Sequence, residues 1–327
     1  ATYWSVCEFG YRQGLRFLLR GDVFPQETQP LKLDEHDAVL EPALRVRTWH
    51  TVGNLPIGPE SWGVADQQKL FVQLAKMKFN RVLLSVSAWQ PFVHYEFRGV
   101  KKETGELWYG ERLAVGGDTP GKVAFQGAEV FENPDFAGKT TYEQQTQAGI
   151  AHLRGLIDAA HAAGLSVELS ICPLEFPPEL AGALPGLRVS QGLRDRGAVP
   201  GPEQSPLDPA LKELSRTVVR AYLDTYPNLD AVCLRLSEHA EWEQQAEGAW
   251  EQLSRDRDLA GHSLAQVLSA AEKRPLSASG KLGERAARNS VASLAFLNAL
   301  TRDESLLARQ DGGRVALAIA GVDPALF

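Results

Sequence analysis

Four short segments of this chain alternate large apolar residues with small or polar ones, and this pattern restricts the possible folds more than any other feature. The segments are residues 81–87, 167–172, 231–237 and 315–320. In 167–172, for example, large aliphatic residues alternate with Glu168, Ser170 and Cys172. Because successive side chains of a β-strand point to opposite faces, each segment predicts a strand with one large apolar face and one small or polar face.

Segments with helical spacing of apolar residues lie between these strands, and a further short strand is predicted at 44–49. The predicted helices are 66–79, 142–163, 206–226, 241–257 and 283–301. Strands that alternate with helices indicate parallel strands with crossover connections. A doubly wound sheet usually has strands that are apolar throughout, whereas a barrel admits small or polar residues on its inner face. The pattern therefore predicts an α/β fold of the (β/α)8 TIM-barrel type. A closed barrel needs eight strands and about five are present, so we expect the chain to be a fragment of a barrel, with an open sheet as the alternative.

Three charged residues are predicted to point into this barrel, namely Arg47, Glu168 and Arg235. Buried charges persist only when they are paired. We therefore expect Glu168 to neutralise at least one of the two arginines. Before the barrel, residues 3–19 predict a helix that ends near Gly21, and the prolines and mixed charges of 22–43 predict a linker.

The composition disfavours several classes of function. The net charge is −7, which argues against a nucleic-acid partner because phosphate binding requires a basic surface. No run approaches the ~18 apolar residues of a membrane span. No spacing of cysteine, histidine or carboxylate residues matches a metal site, and no glycine-rich nucleotide motif occurs. The sequence therefore predicts neither a metal nor a cofactor. No signal peptide is visible, and localisation and oligomeric state are left open.

The active site of a β/α barrel gathers at the carboxyl ends of its strands, so the residues that follow each predicted strand are the candidates. Among them, those predicted as site residues are Trp49, His50, Trp89, Glu175, Glu238, Glu241 and Trp242. Sugars stack on aromatic rings and pair their hydroxyls with carboxylates and histidine. Glycoside cleavage requires a carboxylic acid that protonates the leaving oxygen. Because Glu238 comes directly after the strand 231–237, it is the predicted proton donor of a glycosidase, and the other candidates are predicted to bind the substrate.

Each candidate also has an interpretation without catalysis. Glu238 and Glu241 are suited to the start of a helix, where a carboxylate interacts favourably with the helix dipole. Glu175 lies among prolines and is suited to bracing a loop. The tryptophans and His50 are suited to packing and structural hydrogen bonds. Arg47 and Arg235 are candidates for bidentate pairing with a substrate carboxylate.

Several short motifs resemble bacterial alpha-glucuronidases and beta-hexosaminidases. Gly14-Leu15-Arg16-Phe17 and Val23-Phe24-Pro25 are similar to the end of the small α/β domain that precedes the barrel in those enzymes. Leu44–Trp49 resembles their first barrel strand, and residues 74–82 and 157–164 resemble their following helix-to-strand steps. Leu236-Ser237-Glu238 resembles the Ser-Glu pair of alpha-glucuronidases, whose glutamate is the general acid.

This resemblance implies two domains: residues 1–43 as the end of a small amino-terminal α/β domain with its linker, and 44–327 as a partial barrel. It also implies a glycoside hydrolase acting on uronic-acid- or hexosamine-bearing plant or bacterial polysaccharide, with Glu238 as general acid. Beta-hexosaminidases carry an Asp-Glu pair where this chain has Ser237 and Glu238, so their substrate-assisted mechanism is not implied. The base of alpha-glucuronidases lies on later strands, so no base is assigned.

Two other functions are compatible with the same sequence. One is a non-catalytic carbohydrate-binding barrel protein, which would bind sugar without turnover. The other is a different barrel enzyme, such as a lyase or a metal-dependent hydrolase, which would lose activity with a chelator. Fold alone does not decide between them, because one scaffold hosts many functions.

Overall fold

A computed structural model describes most of the chain, namely residues 2–19, 21–26, 30, 39–50, 61–107, 112–115, 128–191, 197–236, 242–273 and 280–322. The helices are α1 (Thr2–Arg12), α2 (Val64–Lys76), α3 (Tyr142–Ala162), α4 (Pro209–Thr225), α5 (Ala246–Arg257), α6 (Leu264–Glu272) and α7 (Gly280–Thr301). The strands are β1 (Arg16–Leu18), β2 (Gly21–Val23), β3 (Thr48–His50), β4 (Arg81–Val86), β5 (Glu96–Phe97), β6 (Val100–Lys101), β7 (Arg112–Ala114), β8 (Val130–Glu132), β9 (Ser166–Ile171), β10 (Val189–Gln191), β11 (Ala198–Pro200), β12 (Ala231–Arg235) and β13 (Ala316–Ala320). Among the described helices, none combines the length and the apolar character that a membrane crossing requires.

The central element is a five-stranded parallel sheet in the order β3-β4-β9-β12-β13. The order of the strands in the sheet is their order in the chain, and helices lie between consecutive strands. Each crossover therefore moves one strand further in the same direction, without the reversal that defines a doubly wound sheet. The predicted α/β class and the five parallel strands are confirmed, whereas closure into a barrel stays a prediction.

The register of the strands confirms the two predicted faces. Glu168 lies opposite Leu83 and Ala231, and in the next row Ser170 lies opposite Ser85 and Cys233. The other face carries the large aliphatic residues, which are buried in one continuous core with side chains of the helices; in β4, β9 and β12 they are Val82, Leu84, Val86, Val167, Leu169, Ile171, Val232 and Leu234. In β13 the corresponding Leu317 and Ile319 are partly exposed, at 37% and 43%.

Helix starts follow recognisable side-chain signals. Thr141 and Gln144 form a capping box at the start of α3, and Asp208 caps α4 just before Pro209. Both motifs satisfy backbone N–H groups that have no partner inside the helix. Ser263 forms a second capping box before α6, a helix that the periodicity of the sequence did not predict. The capping box at Ser263 is the sequence signal from which this helix could have been predicted.

The prediction of one helix over residues 3–19 is wrong. Helix α1 ends at Arg12, and β1 pairs antiparallel with β2. Gly14 has a φ of +94°, a conformation that glycine adopts without steric cost and that ends the helix. The residues after it are therefore free to form a hairpin, which occupies part of the predicted linker as well.

The amino-terminal unit, α1 with the β1–β2 hairpin, is attached to the carboxyl end of α2 by charged contacts. Glu8 pairs with Lys78, and the Asp22 carboxylate accepts hydrogen bonds from Lys76 (2.6 Å) and Gln73 (2.8 Å). These contacts lower the pKa of both carboxyls, through hydrogen bonds from Lys78 to Glu8 and from Lys76 to Asp22. The boundary predicted at residue 43 stays a prediction, because residues 31–38 lie outside the described residues.

The prediction that Glu168 neutralises Arg47 or Arg235 is only half right. Glu168 is buried and paired, but its partner is Arg81, at 2.8 Å. The Arg47 guanidinium instead donates to the carbonyl oxygens of Lys78 and Leu44, both at 2.6 Å, and lies over the ring of Trp4. Arg47 precedes the first residue of β3, so the alternation of that strand does not direct it towards Glu168.

Candidate active site

The carboxyl edge of the sheet carries the loops in which catalytic residues were predicted. Glu238 and Glu241 lie in the segment 237–241, outside the described residues. The assignment of Glu238 as proton donor therefore continues to rest on the sequence. The loops that follow the neighbouring strands β4 and β9 are described, and they define the surroundings of this edge.

Glu175 and Trp89 come from these two loops and meet directly. The Trp89 indole Nε1 donates a hydrogen bond to Glu175 Oε1 at 3.1 Å. The Trp89 side chain is fully buried, and Glu175 is 6% exposed. The two residues were predicted separately as site residues, and the pairing of β4 with β9 brings them together. A buried carboxylate with a fixed donor is thus built into the carboxyl edge of the sheet.

Gly197 covers this pair. A Cβ atom at Gly197 would lie 2.8 Å from Trp89 Cδ1 and 3.1 Å from Glu175 Oε1. The segment is held there because Phe176 and Ala198 form an antiparallel bridge. Glycine is therefore the residue that allows the backbone to approach the indole and the carboxylate so closely.

We expect Gly197→Ala to lower the free energy of unfolding by about 1–3 kcal/mol, because the added methyl group overpacks the Trp89–Glu175 contact. The matched control is Gly182→Ala, since a Cβ at Gly182 meets no atom within 4 Å. That control should stay within about 0.5 kcal/mol of the parent protein. Urea unfolding of the three proteins measures the difference. Equal denaturant midpoints would show that the Trp89–Glu175 contact accommodates the methyl group without loss of stability.

The other tryptophans predicted as sugar platforms lie in packed surroundings. Trp242 is fully buried, with its ring centroid 5.8 Å from that of Phe296 in α7. Trp49 is half-buried and meets Phe79 edge to face at 5.6 Å. In the sheet it pairs with Val82, on the large apolar face. This placement corresponds to the packing interpretation of these residues.

The polar face of the sheet brings together His50, Ser85 and charged residues. His50 Nε2 lies 3.0 Å from Ser85 Oγ. Partial burial lowers the pKa of His50, as does the nearby charge of Arg235, while Glu168 opposes the shift. The imidazole is therefore neutral at pH 7 and acts as a hydrogen-bonding group. His50 and Arg235, both predicted as site residues, thus lie within electrostatic reach of each other.

The two cysteines near this face are not arranged as nucleophiles. Burial raises the pKa of Cys172 to about 12 and that of Cys233 to about 11. A thiol attacks as its thiolate, and reactive cysteines have a lowered pKa. Both thiols are therefore protonated at neutral pH.

Lys102 is a buried residue that the sequence did not single out. Its side chain is 0% exposed, and its ammonium donates to the carbonyl oxygens of Gln90 and Val93. Burial lowers the pKa of Lys102 to about 7, and the charge of Glu179 partly opposes that shift. The adjacent Lys101 is exposed. Nothing in the local sequence distinguishes the two lysines. Lys102 is the enclosed one because it packs against the loop of residues 87–95.

The burial of Lys102 predicts a dependence of stability on pH. Between pH 7 and 10.5 the unfolded state binds one more proton at this residue, so stability rises with pH by about 1.4 kcal/mol per unit. The raised pKa values of the buried thiols make stability fall with pH, but only above pH 9.0, which is the ordinary pKa of a cysteine thiol. From about pH 7 to about pH 8.5 we therefore expect a gain of about 2 kcal/mol.

Urea unfolding at these two pH values measures this gain. Lys101→Met should retain it, because Lys101 is exposed, whereas Lys102→Met should lose it. An equal gain in both variants would assign the effect to other groups.

Within the described part of the chain, no group of three or more His, Cys, Asp or Glu side chains is arranged to hold a metal ion. The prediction that the protein uses no metal remains a prediction, which a chelator can test.

No protein-family model and no curated protein matches this chain. Several solved structures are similar to it at low identity, three of which are described below. An alpha-galactosidase from Thermus thermophilus in complex with p-nitrophenyl alpha-D-galactopyranoside is 12% identical, with a TM-score of 0.36 over 86% of this chain and 39% of that chain. The galactosidase domain of an alpha-galactosidase-sucrose kinase is 10% identical, with a TM-score of 0.32 over 80% and 25%. An alpha-N-acetylgalactosaminidase from Bifidobacterium bifidum is 13% identical, with a TM-score of 0.29 over 64% and 34%.

All three neighbours are glycosidases by name, and this chain spans less than half the length of each. None of the three is an alpha-glucuronidase or a beta-hexosaminidase, so the narrower resemblance stays a prediction. TM-scores this low leave the function to be argued from the residues of the chain itself.

Proposed function

We propose that the chain carries part of a glycoside hydrolase with a β/α-barrel catalytic domain. The observation that carries this proposal is the buried Glu175–Trp89 pair at the carboxyl edge of the sheet. Barrel enzymes place their catalytic groups at this edge. The chain-ordered parallel sheet and its small polar face support the barrel, because helices then cover only the other face.

The proposed general acid is Glu238, which follows β12. Strand β12 pairs with β9, so the loops that carry Glu238 and Glu175 begin side by side, about 5 Å apart. A neighbouring carboxylate disfavours ionisation and keeps an acid protonated at neutral pH. Glu175 is the proposed neighbouring carboxylate, and the hydrogen bond from Trp89 keeps its side chain in place. The second catalytic carboxylate is left unassigned.

The proposed substrate is a uronic-acid- or hexosamine-bearing saccharide. Arg235 lies at the carboxyl end of β12 on the polar face of the sheet, where a guanidinium can pair with a substrate carboxylate in bidentate fashion. His50 and Ser85 on the same face supply hydrogen bonds for hydroxyls. Arg47 is not proposed to bind the substrate, because its guanidinium is already hydrogen-bonded to two backbone carbonyls.

The test uses the protein expressed from the complete coding sequence and assayed on aryl glycosides and glucuronosylated oligosaccharides, with and without a chelator. We expect turnover of at least one substrate that the chelator does not change. Turnover that disappears with the chelator would favour a metal-dependent hydrolase. Sugar binding without turnover would favour the carbohydrate-binding alternative and overturn the proposal, whereas loss of turnover with the chelator would overturn the metal-free acid mechanism.

A further inference from the structure

The loop between β4 and β5, residues 87–95, is buried except at Phe92 and His94, although it has no regular secondary structure. Backbone carbonyls in such a loop need partners, because an unpaired buried polar group is costly. Two carbonyls are bonded by tyrosine hydroxyls of α4 and its end: Tyr222 donates to Ser87, and Tyr226 donates to Phe92. Two further carbonyls, those of Gln90 and Val93, are bonded by a different residue.

Lys102 is the residue that hydrogen-bonds these two further carbonyls. Its Nζ donates to the oxygens of Gln90 and Val93 (2.8 Å), and it lies 5.9 Å from the ring centroid of Tyr95. A fully buried lysine is rare, since burial of the ammonium is unfavourable unless charge or hydrogen bonds compensate. One ammonium therefore ties together two points of the loop, on either side of Pro91.

Trp89 immediately precedes the residue whose carbonyl Lys102 holds. The orientation of the Trp89 indole towards Glu175 Oε1 therefore depends on where the backbone at Gln90 is fixed. We propose that Lys102 is a positioning residue, which fixes the loop so that Trp89 donates its hydrogen bond to Glu175. The inference rests on the proposed function only in taking Glu175 as part of the carbohydrate site.

A merely structural lysine and a positioning lysine predict different results. A structural role predicts that removal of the ammonium changes the stability of the whole protein and leaves the indole of Trp89 bonded. A positioning role predicts a local loss of that one hydrogen bond in a protein that remains folded. Exchange of the Trp89 indole proton with solvent distinguishes the two, because a bonded, buried N–H exchanges slowly.

The experiment records indole N–H resonances by nuclear magnetic resonance in the parent protein, Lys102→Met and Lys102→Arg. Substitutions of Trp89 and Trp242 by phenylalanine assign the two signals. In Lys102→Met we expect the Trp89 proton to exchange about 10-fold faster or more, while the buried Trp242 indole is unchanged. Lys102→Arg retains a cationic donor and should keep at least part of the protection. The control Lys101→Met, at an exposed position, should match the parent protein.

Unchanged exchange of Trp89 in a folded Lys102→Met protein would overturn the inference. If Lys102→Met does not fold, Lys102→Gln is measured instead, because its amide keeps a donor for one of the two carbonyls. Failure of both variants to fold would also overturn it, since the lysine would then support the fold as a whole. The readout requires no turnover. A protein without glycosidase activity that shows the expected exchange would overturn the proposed function and leave the role of Lys102 standing.

Discussion

Replacing Glu238 by glutamine is expected to lower glycosidase turnover by about 10²-fold or more, the range measured when a general acid is lost. Glutamine keeps the size and polarity of the side chain but cannot deliver a proton to the leaving oxygen. Steady-state rates on the substrate with the highest turnover measure the loss. The loss should be smaller for aryl glycosides with a good leaving group, because such groups depart with little protonation.

Two matched variants separate catalysis from local structure. Glu251→Gln changes an exposed carboxylate of α5 that is not a predicted site residue, and we expect nearly unchanged turnover. Glu175→Gln removes a carboxyl group that is proposed to lie next to the acid, so we expect the alkaline limb of the pH–rate profile to shift to lower pH, because a neighbouring carboxylate favours the protonated form of an acid. Equal activity of the parent protein and Glu238→Gln would show that Glu238 is a helix-start carboxylate, and the acid would then be sought at Glu175.

Gly149→Ala is expected to lower the free energy of unfolding by about 3 kcal/mol. Gly149 lies in α3 where the helix crosses the buried loop after β4. An added Cβ would overlap the Pro91 carbonyl oxygen and lie 2.7 Å from its carbonyl carbon. These are backbone atoms, so no side-chain rotation relieves the clash. The loop that carries Trp89 would have to move away from the helix, and the denaturant midpoint should fall accordingly.

Gly248→Ala is the control, because Gly248 is also helical but a Cβ there meets no atom within 4 Å. In an exposed helix, alanine is favoured over glycine by about 0.5–1 kcal/mol. The two substitutions are therefore expected to change stability in opposite directions. If Gly149→Ala were as stable as the parent protein, α3 and the loop after β4 would not be in tight contact.

The candidate site was predictable only in part. Glu175 and Trp89 were recognised because each follows a strand, yet their mutual hydrogen bond depends on two loops separated by more than eighty residues. Lys102 was missed because its identity and neighbours resemble those of the exposed Lys101. The role given to Glu238 comes from its position after a strand, and activity measurements decide it.

The sequence by itself determined the five strands, their parallel arrangement and the division of the sheet into a large apolar and a small polar face. These features are local, because the period of two residues in a strand and the side-chain caps of a helix are written in neighbouring positions. Tertiary structure alone decided that Glu168 pairs with Arg81, that Arg47 bonds backbone carbonyls, and that Lys102 is enclosed. Such pairings join residues far apart in the chain, so they depend on register and packing that no local pattern encodes.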